Sequence, residues 1–532
     1  MMKTATTILL VLICLFEAHG QRKIKLKRAD KLRGSMSNNE RVDWVIGHVI
    51  FVQNKTVIYC DSAQFFRSQN SVDAYGAIRI TDGDSVVLTA KSLRYDGNKK
   101  IAYLRENVVF KKKTKVTLTT DFLDFDRMKN EIRFFNNGKL VDTDNTLTSQ
   151  KGYFDLNTNM ASFKTDVVGI TKDYTINSDT LQYNSDNKFI YFHSHTKVVD
   201  QTEKVAYYDS GYFDTAEKTS VLGNGDIQTP SFVLKGTTIY LDNINKSYRA
   251  LGKVILESKE ESMNIYGNEG YYNKETKVSK IFGNAYIARF NDETDTLFIA
   301  ADTLVSIDND DVKKRGFFAF NHVRIYKKDL QGVADSLAYK NSDSTIYFYG
   351  NPVLWANENQ LTADSVKVLM KNKTINTVFL ESNSFVASED SLKNYNQIKG
   401  RKMTAYFADK AIQKVVVEGN GESLYFALQE KSQVTKDSAS IEEQNSLIGM
   451  NKIICSNMKL NFLNGKINNI SFYIKPEASF IPPHQLTRKN IRLNGFSWHG
   501  EKRPSRYSLF EKFEEEESKE NPKENAKEDT KE

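Results

Sequence analysis

A short strand-like unit, a polar residue with apolar residues two and four places later, recurs along this chain about every 30 residues. Copies begin at Asp61, Lys91, Asp121, Gln150, Asp179, Asp209, Thr237, Asn268, Asp302, Asp335, Asp364 and Lys402, with a degenerate one at Ser456. The first eight starts lie 28 to 31 residues apart, a spacing that reads as too long for a hairpin alone, so each unit is expected to hold several strands. Such regularity overrides the several-domain expectation for 532 residues, because repeated supersecondary units stack into one continuous core.

Period-two alternation puts one set of side chains on a single face of a strand. From the polar-start unit that set is Phe65, Leu93, Tyr95, Leu123, Phe125, Phe154, Leu181, Tyr183, Phe213, Ile239, Leu241, Tyr272, Leu304, Leu337, Tyr339, Val366 and Val368. Midway between copies lies a second element opened by glycine. It contributes Phe51 after Gly47, Ile78 and Ile80 after Gly76, and Val254 and Leu256 after Gly252. Glycine there suits a tight turn or bulge. A third segment, such as Lys100-Ile101-Ala102-Tyr103, follows an Asn/Asp-rich turn like Asp96-Gly97-Asn98. Phe and Tyr total 58 residues against 3 Trp, a strand-forming composition, and of the 7 prolines only Pro230 and Pro352 fall inside the repeats. The predicted fold class is all-β, with about thirteen units between residues 41 and 474 and a polar insertion at 429–446.

The chain ends carry targeting and charge signals. Lys3, the apolar run Ile8 to Phe16 and Ala18-His19-Gly20 read as a signal peptide over residues 1–20, which implies export and a disulfide-permissive compartment. Cys60 and Cys455 remain after cleavage, too far apart in a linear array to pair. The net charge of +7 is unevenly spread. Residues 21–40, with Arg22, Lys23, Lys25, Lys27, Arg28, Lys31 and Arg33, read as a basic flexible segment. Residues 475–510 read as irregular, and 511–532 as a disordered acidic tail.

The polar residues point away from catalysis. His193 and His195 share one side of a strand at a spacing that can hold a metal, but no third ligand is evident, and no metal or other cofactor is expected. The aspartates of the repeat could form a carboxylate ladder for calcium or glycoside cleavage. Stacked like charges repel, however, and Lys91, Gln150, Thr237, Asn268 and Lys402 interrupt the series, so a turn or strand-entry role is the better reading. No nucleophile motif, phosphate loop or paired-cysteine spacing is present, and an enzyme is not expected.

Gly350-Asn351-Pro352-Val353-Leu354-Trp355, followed by Gln360-Leu361-Thr362-Ala363-Asp364-Ser365-Val366, resembles the repeat of the OstA-like (LptA-like) family over residues 41 to 425. That family includes the periplasmic bridge of lipopolysaccharide transport and the periplasmic domain of its outer-membrane translocon. The resemblance implies an elongated, V-shaped antiparallel β-jellyroll whose interior groove carries lipid acyl chains and whose ends stack onto other jellyrolls. The apolar residues named above are then the candidate lining of the lipid-binding groove. This chain departs from the family in its many repeats and in lacking the translocon's C-terminal barrel, while its end, Ile481-Pro482-Pro483-His484 and Leu493 to Trp498, resembles the tail of longer variants.

The leading expectation is therefore a periplasmic lipid-transport bridge or binding protein in outer-membrane biogenesis. Its expected partners are lipopolysaccharide or another amphiphile, other jellyrolls joined by edge-strand stacking, and other copies of itself; nucleic acid is not among them. The alternatives are a structural or adhesive exported repeat protein, and a β-helix polysaccharide-degrading enzyme, which would need clustered carboxylates on adjacent coils.

Overall fold

The computed structural model describes residues 23–509, apart from 38–39, 113–115, 202–203, 231, 260–261, 293–294, 373, 409–410, 434–441 and 464–465. The expected signal peptide and acidic tail lie outside the described residues. The chain divides into two units, residues 1–229 and 230–532. In both, successive strands pair antiparallel with their chain neighbours, as in Glu40–Gln53 with Thr56–Phe66 and Met263–Asn273 with Val278–Asp292. The fold class is all-β, as the alternation requires.

The 30-residue period is a single long hairpin, a correction to the expectation of several strands per unit. Strands of about eleven residues are bent at their midpoints, where the ladder register slips, as between Ile46 and Val49 and between Tyr75 and Ile78. Alternate strands make the bend with two consecutive positive-φ residues. Gly76 (φ 71°) and Ala77 (35°), Asn136 (69°) and Asn137 (66°), and Gly350 (77°) and Asn351 (53°) are examples. Glycine and asparagine supply most of these positions because they reach the left-handed region at least cost.

The recurring polar residue is the other half of the same corner. Asp302 faces His322 at 2.7 Å and the Asn224 side-chain amide donates to Asp209 at 3.3 Å, and one period before the first copy Asp30 faces His48 in the same way at 2.8 Å. Thr237 Oγ1 donates to the Gly252 carbonyl at 3.1 Å. These side chains sit at mid-strand corners rather than at strand entry, which corrects that part of the sequence reading. The hairpin turns follow a second period. Asp96 Oδ1 accepts from the amides of Asn98 and Lys99, Asp126 from Met128 and Lys129, and Asp155 from Asn157 and Thr158, each an Asx turn.

In unit 1 the two halves of each bent strand supply two apolar columns. One runs through Ile58, Ile80, Leu88, Phe110, Leu118 and Leu140, each directly opposite the next. The other runs through Phe65, Val72, Tyr95, Ala102, Phe125, Ile132, Phe154, Ala161 and Tyr183. The columns meet: Phe51 packs edge-on to Phe65 at 5.3 Å and Phe110 against Phe154 at 5.7 Å. Alanine opposite a large ring lets successive layers interdigitate, as interior packing density demands.

The basic segment at 21–40 is not a tail throughout. Lys25–Arg28 pairs with Ile50–Val52, and Lys31–Ser37 pairs with residues 40–46 of the same strand. Ile24 is buried, and its amide donates to Asn70 Oδ1 at 2.9 Å. Clustered lysine and arginine suggest disorder only while backbone pairing is ignored; charged side chains are common on edge strands. The polar insertion expected at 429–446 belongs in part to a long hairpin. Ala411–Gln433 and Glu442–Leu463 stay paired out to Gln433 opposite Glu442. Strand pairing also continues past 474, with Glu477–Ile481 against Met450–Ile454.

Candidate functional site

The candidate site is the apolar interior, and the two units present it differently. In unit 1 all twelve expected lining residues, Phe51, Phe65, Ile78, Ile80, Leu93, Tyr95, Leu123, Phe125, Phe154, Leu181, Tyr183 and Phe213, are buried, most with no exposed surface. They are buried against one another, so this stretch of interior is a filled core.

Two polar networks at the ends of this core fix its rim. Asp43 is wholly buried and ion-pairs with Arg67 and, at 3.1 Å, with Arg41. Burial raises its carboxyl, but the two guanidiniums outweigh burial and hold it below the usual range. Asp142, equally buried, accepts from Lys188 Nζ, from the Tyr183 hydroxyl and from the amides of Asp144 and Asn145. Burial again raises it and these partners, Lys188 first, bring it below the usual range, while burial and that carboxylate drive the Tyr183 hydroxyl up.

In unit 2, Ile239, Val254, Leu304, Leu337, Val366 and Val368 are buried, while Leu241, Leu256, Tyr272 and Tyr339 are half-buried. The ladder places Leu256 in a column that sequence reading did not trace. It runs Leu234, Leu256, Ile265, Ile287, Ile299, Ile325, Gly332, Leu354, Leu361, Val386, Ile398. Leu234, Leu256, Ile299, Leu361, Val386 and Ile398 are only half-buried, whereas the equivalent column of unit 1 is at most 2% exposed. Ten apolar side chains, with Gly332 between Ile325 and Leu354, therefore line one wall over eleven successive strand positions, and six of the ten are partly exposed.

The opposite face of that wall is apolar too, which alternation does not predict. Trp355 is buried there, and Phe298, Phe385, Leu424, Phe426 and Met450 are packed there with the C-terminal segment, whose Leu493 and Leu509 join the same clusters. The signal was the loss of alternation: Val353-Leu354-Trp355 is a continuous apolar run with all three residues buried, the mark of a strand covered on both faces.

The polar candidates have ordinary partners. His193 Nε2 lies 3.0 Å from Gln182 Oε1 and His195 Nδ1 3.0 Å from Asp209, so the two rings serve different neighbours. Among the described residues no group of three His, Cys, Asp or Glu side chains is clustered as metal ligands are. Cys60 and Cys455 are buried free thiols. Among the described residues no helix is long and apolar enough to cross a membrane.

The bent-hairpin ladder with paired apolar columns is the structural counterpart of the family signal. Residues 21–179 match the OstA-like protein family. This OstA-like region lies wholly in unit 1, and it begins before the strand at Lys25 that charge alone had assigned to a flexible tail. Among solved structures the chain is similar to LptH of Pseudomonas aeruginosa, described as the LptA-homologous periplasmic component of the conserved lipopolysaccharide transport device. Identity is 13% over 22% of this chain and 80% of that one, with a TM-score of 0.19. No curated protein matches the chain.

Proposed function

We propose that this chain is a non-enzymatic carrier of lipid acyl chains in the periplasm, serving outer-membrane biogenesis, with unit 2 holding the lipid and the OstA-like region in unit 1 acting as a filled stem. The observation that carries this reading is the half-buried apolar column from Leu234 to Ile398 in unit 2. An acyl chain of about a dozen methylenes, at roughly 0.8 kcal/mol each, gains on the order of 10 kcal/mol by leaving water. A continuous wall of Leu, Ile and Val receives such a chain at any point along its length, which an isolated pocket does not. Lipopolysaccharide and other amphiphiles of the same chemistry are the candidate cargo.

The C-terminal edge of the ladder supports a jellyroll partner. Lys466–Tyr473 pairs with the strand Glu442–Leu463, and Leu463, Ile467, Ile470, Tyr473 and Phe480 are exposed around it. Unpaired backbone beside exposed apolar side chains is what strand addition uses.

A photo-reactive amino acid at Leu256 or Leu361 tests the carrier reading in cells. Adducts carrying lipid at these positions, and none at Leu118 in the filled core, are expected. Equal labelling at all three, or none at any, rejects it. The filled core of unit 1 favours a second role for that unit, as a spacer, which the same comparison reads.

A further inference from the structure

Residues 483–509 leave the ladder and run back across unit 2, over the face opposite the apolar column. Three glutamines hold them. Gln397 Nε2 donates to the Ile491 carbonyl at 2.9 Å while its Oε1 accepts from the Leu493 amide at 2.8 Å. Gln360 repeats the arrangement with the Ser497 carbonyl and the His499 amide, at 2.8 and 2.7 Å. Gln331 Oε1 accepts from Arg503 Nε at 2.8 Å, and Arg503 also donates to the Asn357 carbonyl.

The ladder sets the glutamines on one face. Gln331 is opposite Trp355, Trp355 opposite Gln360, Gln360 opposite Ala387 and Ala387 opposite Gln397, so a glutamine appears on every second strand. All three are at most 3% exposed. The side chains of their chain neighbours Leu361 and Ile398 point the other way, into the apolar column, in which Gly332 holds the position beside Gln331. A glutamine amide offers a donor and an acceptor as a peptide group does. Gln360 and Gln397 spend both on the backbone of the segment, so they read its path and not its side chains.

Unit 1 needs no such device, because its walls are held by the rings packed between them. The half-buried column of unit 2 lacks that filling. We propose that residues 486–509 are a splint that sets the stiffness of this wall from outside, with Gln331, Gln360 and Gln397 as its positioning residues. The segment ties together strands that the ladder joins only through an intervening neighbour, and Leu493 and Leu509 anchor it at either end. That the stiffened wall borders a lipid site rests on the carrier reading above; the splinting does not.

Hydrogen exchange on the full chain tests it. Two variants release the segment by different routes: Gln331→Leu, Gln360→Leu and Gln397→Leu together, and Leu493→Asp with Leu509→Asp, which leaves the strands untouched. In both, amides of 486–509 and of the strands Leu330–Lys340, Asn359–Thr362 and Tyr395–Ala408 should exchange at least tenfold faster, with Thr56–Phe66 and Val86–Asp96 unchanged. A segment that stays protected without the glutamines, or one that is released while the strands beneath keep their protection, overturns the proposal. Binding of a fluorescent fatty acid is measured alongside. No binding to the unaltered chain counts against the carrier reading alone, and exchange still decides the splint.

Discussion

The Lys188 ammonium lies 2.7 Å from a carboxylate of Asp142 that has no solvent exposure, across 46 residues of chain. The pair closes one rim of the filled core, beneath the hairpin turn at 142–145. Replacing Asp142 with Asn leaves Lys188 without its counter-ion and removes an acceptor from Tyr183. Breaking a buried pair from one side costs about 3 kcal/mol or more. Asp142→Asn should lower the urea midpoint of unit 1 accordingly, and Lys188→Met should cost less than Asp142→Asn because the carboxylate keeps its backbone and tyrosine donors.

Acid should act on the same rim. Asp43 and Asp142 are both held below their ordinary value of 3.8 in the folded state. The unfolded chain therefore binds protons first as pH falls, and the stability these groups contribute, fully present above the ordinary value, is lost as pH drops through the lower folded values. Urea midpoints should fall steeply below about pH 4, and the double variant Asp43→Asn with Asp142→Asn should be less stable at neutrality yet show a shallower fall.

His499 gives the splint a pH dependence of its own. Burial lowers its basicity from the ordinary 6.5, Lys502 adds to the effect and Glu501, 4.0 Å away, opposes it. The released segment takes up a proton before the docked one, so docking is complete above the ordinary value and weakens as pH falls below it. Exchange of residues 486–509, corrected for intrinsic rates, should rise relative to the rest of unit 2 between pH 7.5 and 5, and His499→Gln should remove that rise.

Cys60 lies in a filled wall, and burial, with Asp61 adding to it, pushes its thiol up to about 12. A thiolate is the reactive form, so alkylation of Cys60 in the folded chain should be slower than in denaturant by orders of magnitude. Rapid labelling under native conditions would mean that this wall opens.

The corner at Gly76 should be intolerant of a side chain. Its φ of 71° is left-handed, and a Cβ there would collide with the Asp61 carboxylate. Gly76→Val should destabilise unit 1 by about 2 kcal/mol. Asn137→Gly, at a corner already carrying a left-handed asparagine at 66°, should be close to neutral in the same unfolding assay.

The strand class, the period and the inward stripe were legible because each is a local property. Residues two places apart on a strand share a face, which set Ala63 with Phe65 and Leu93 with Tyr95, all of them buried. Hairpin length was misjudged because a mid-strand bulge reads in sequence like a turn. The basic stretch at 25–37 was misread because its neighbours in the ladder, not its charges, decide its conformation.

Alternation, glycine and asparagine placement and the aspartate period thus dictated a bent antiparallel ladder, since steric and hydrogen-bonding rules act between residues close in sequence. Which interior is filled and which stays partly open depended on rings that meet only after two columns fold together. The role of Gln331, Gln360 and Gln397 was likewise invisible. Each is one polar residue in a strand until a segment about a hundred or more residues away lies across it, and only long-range packing brings the two into contact.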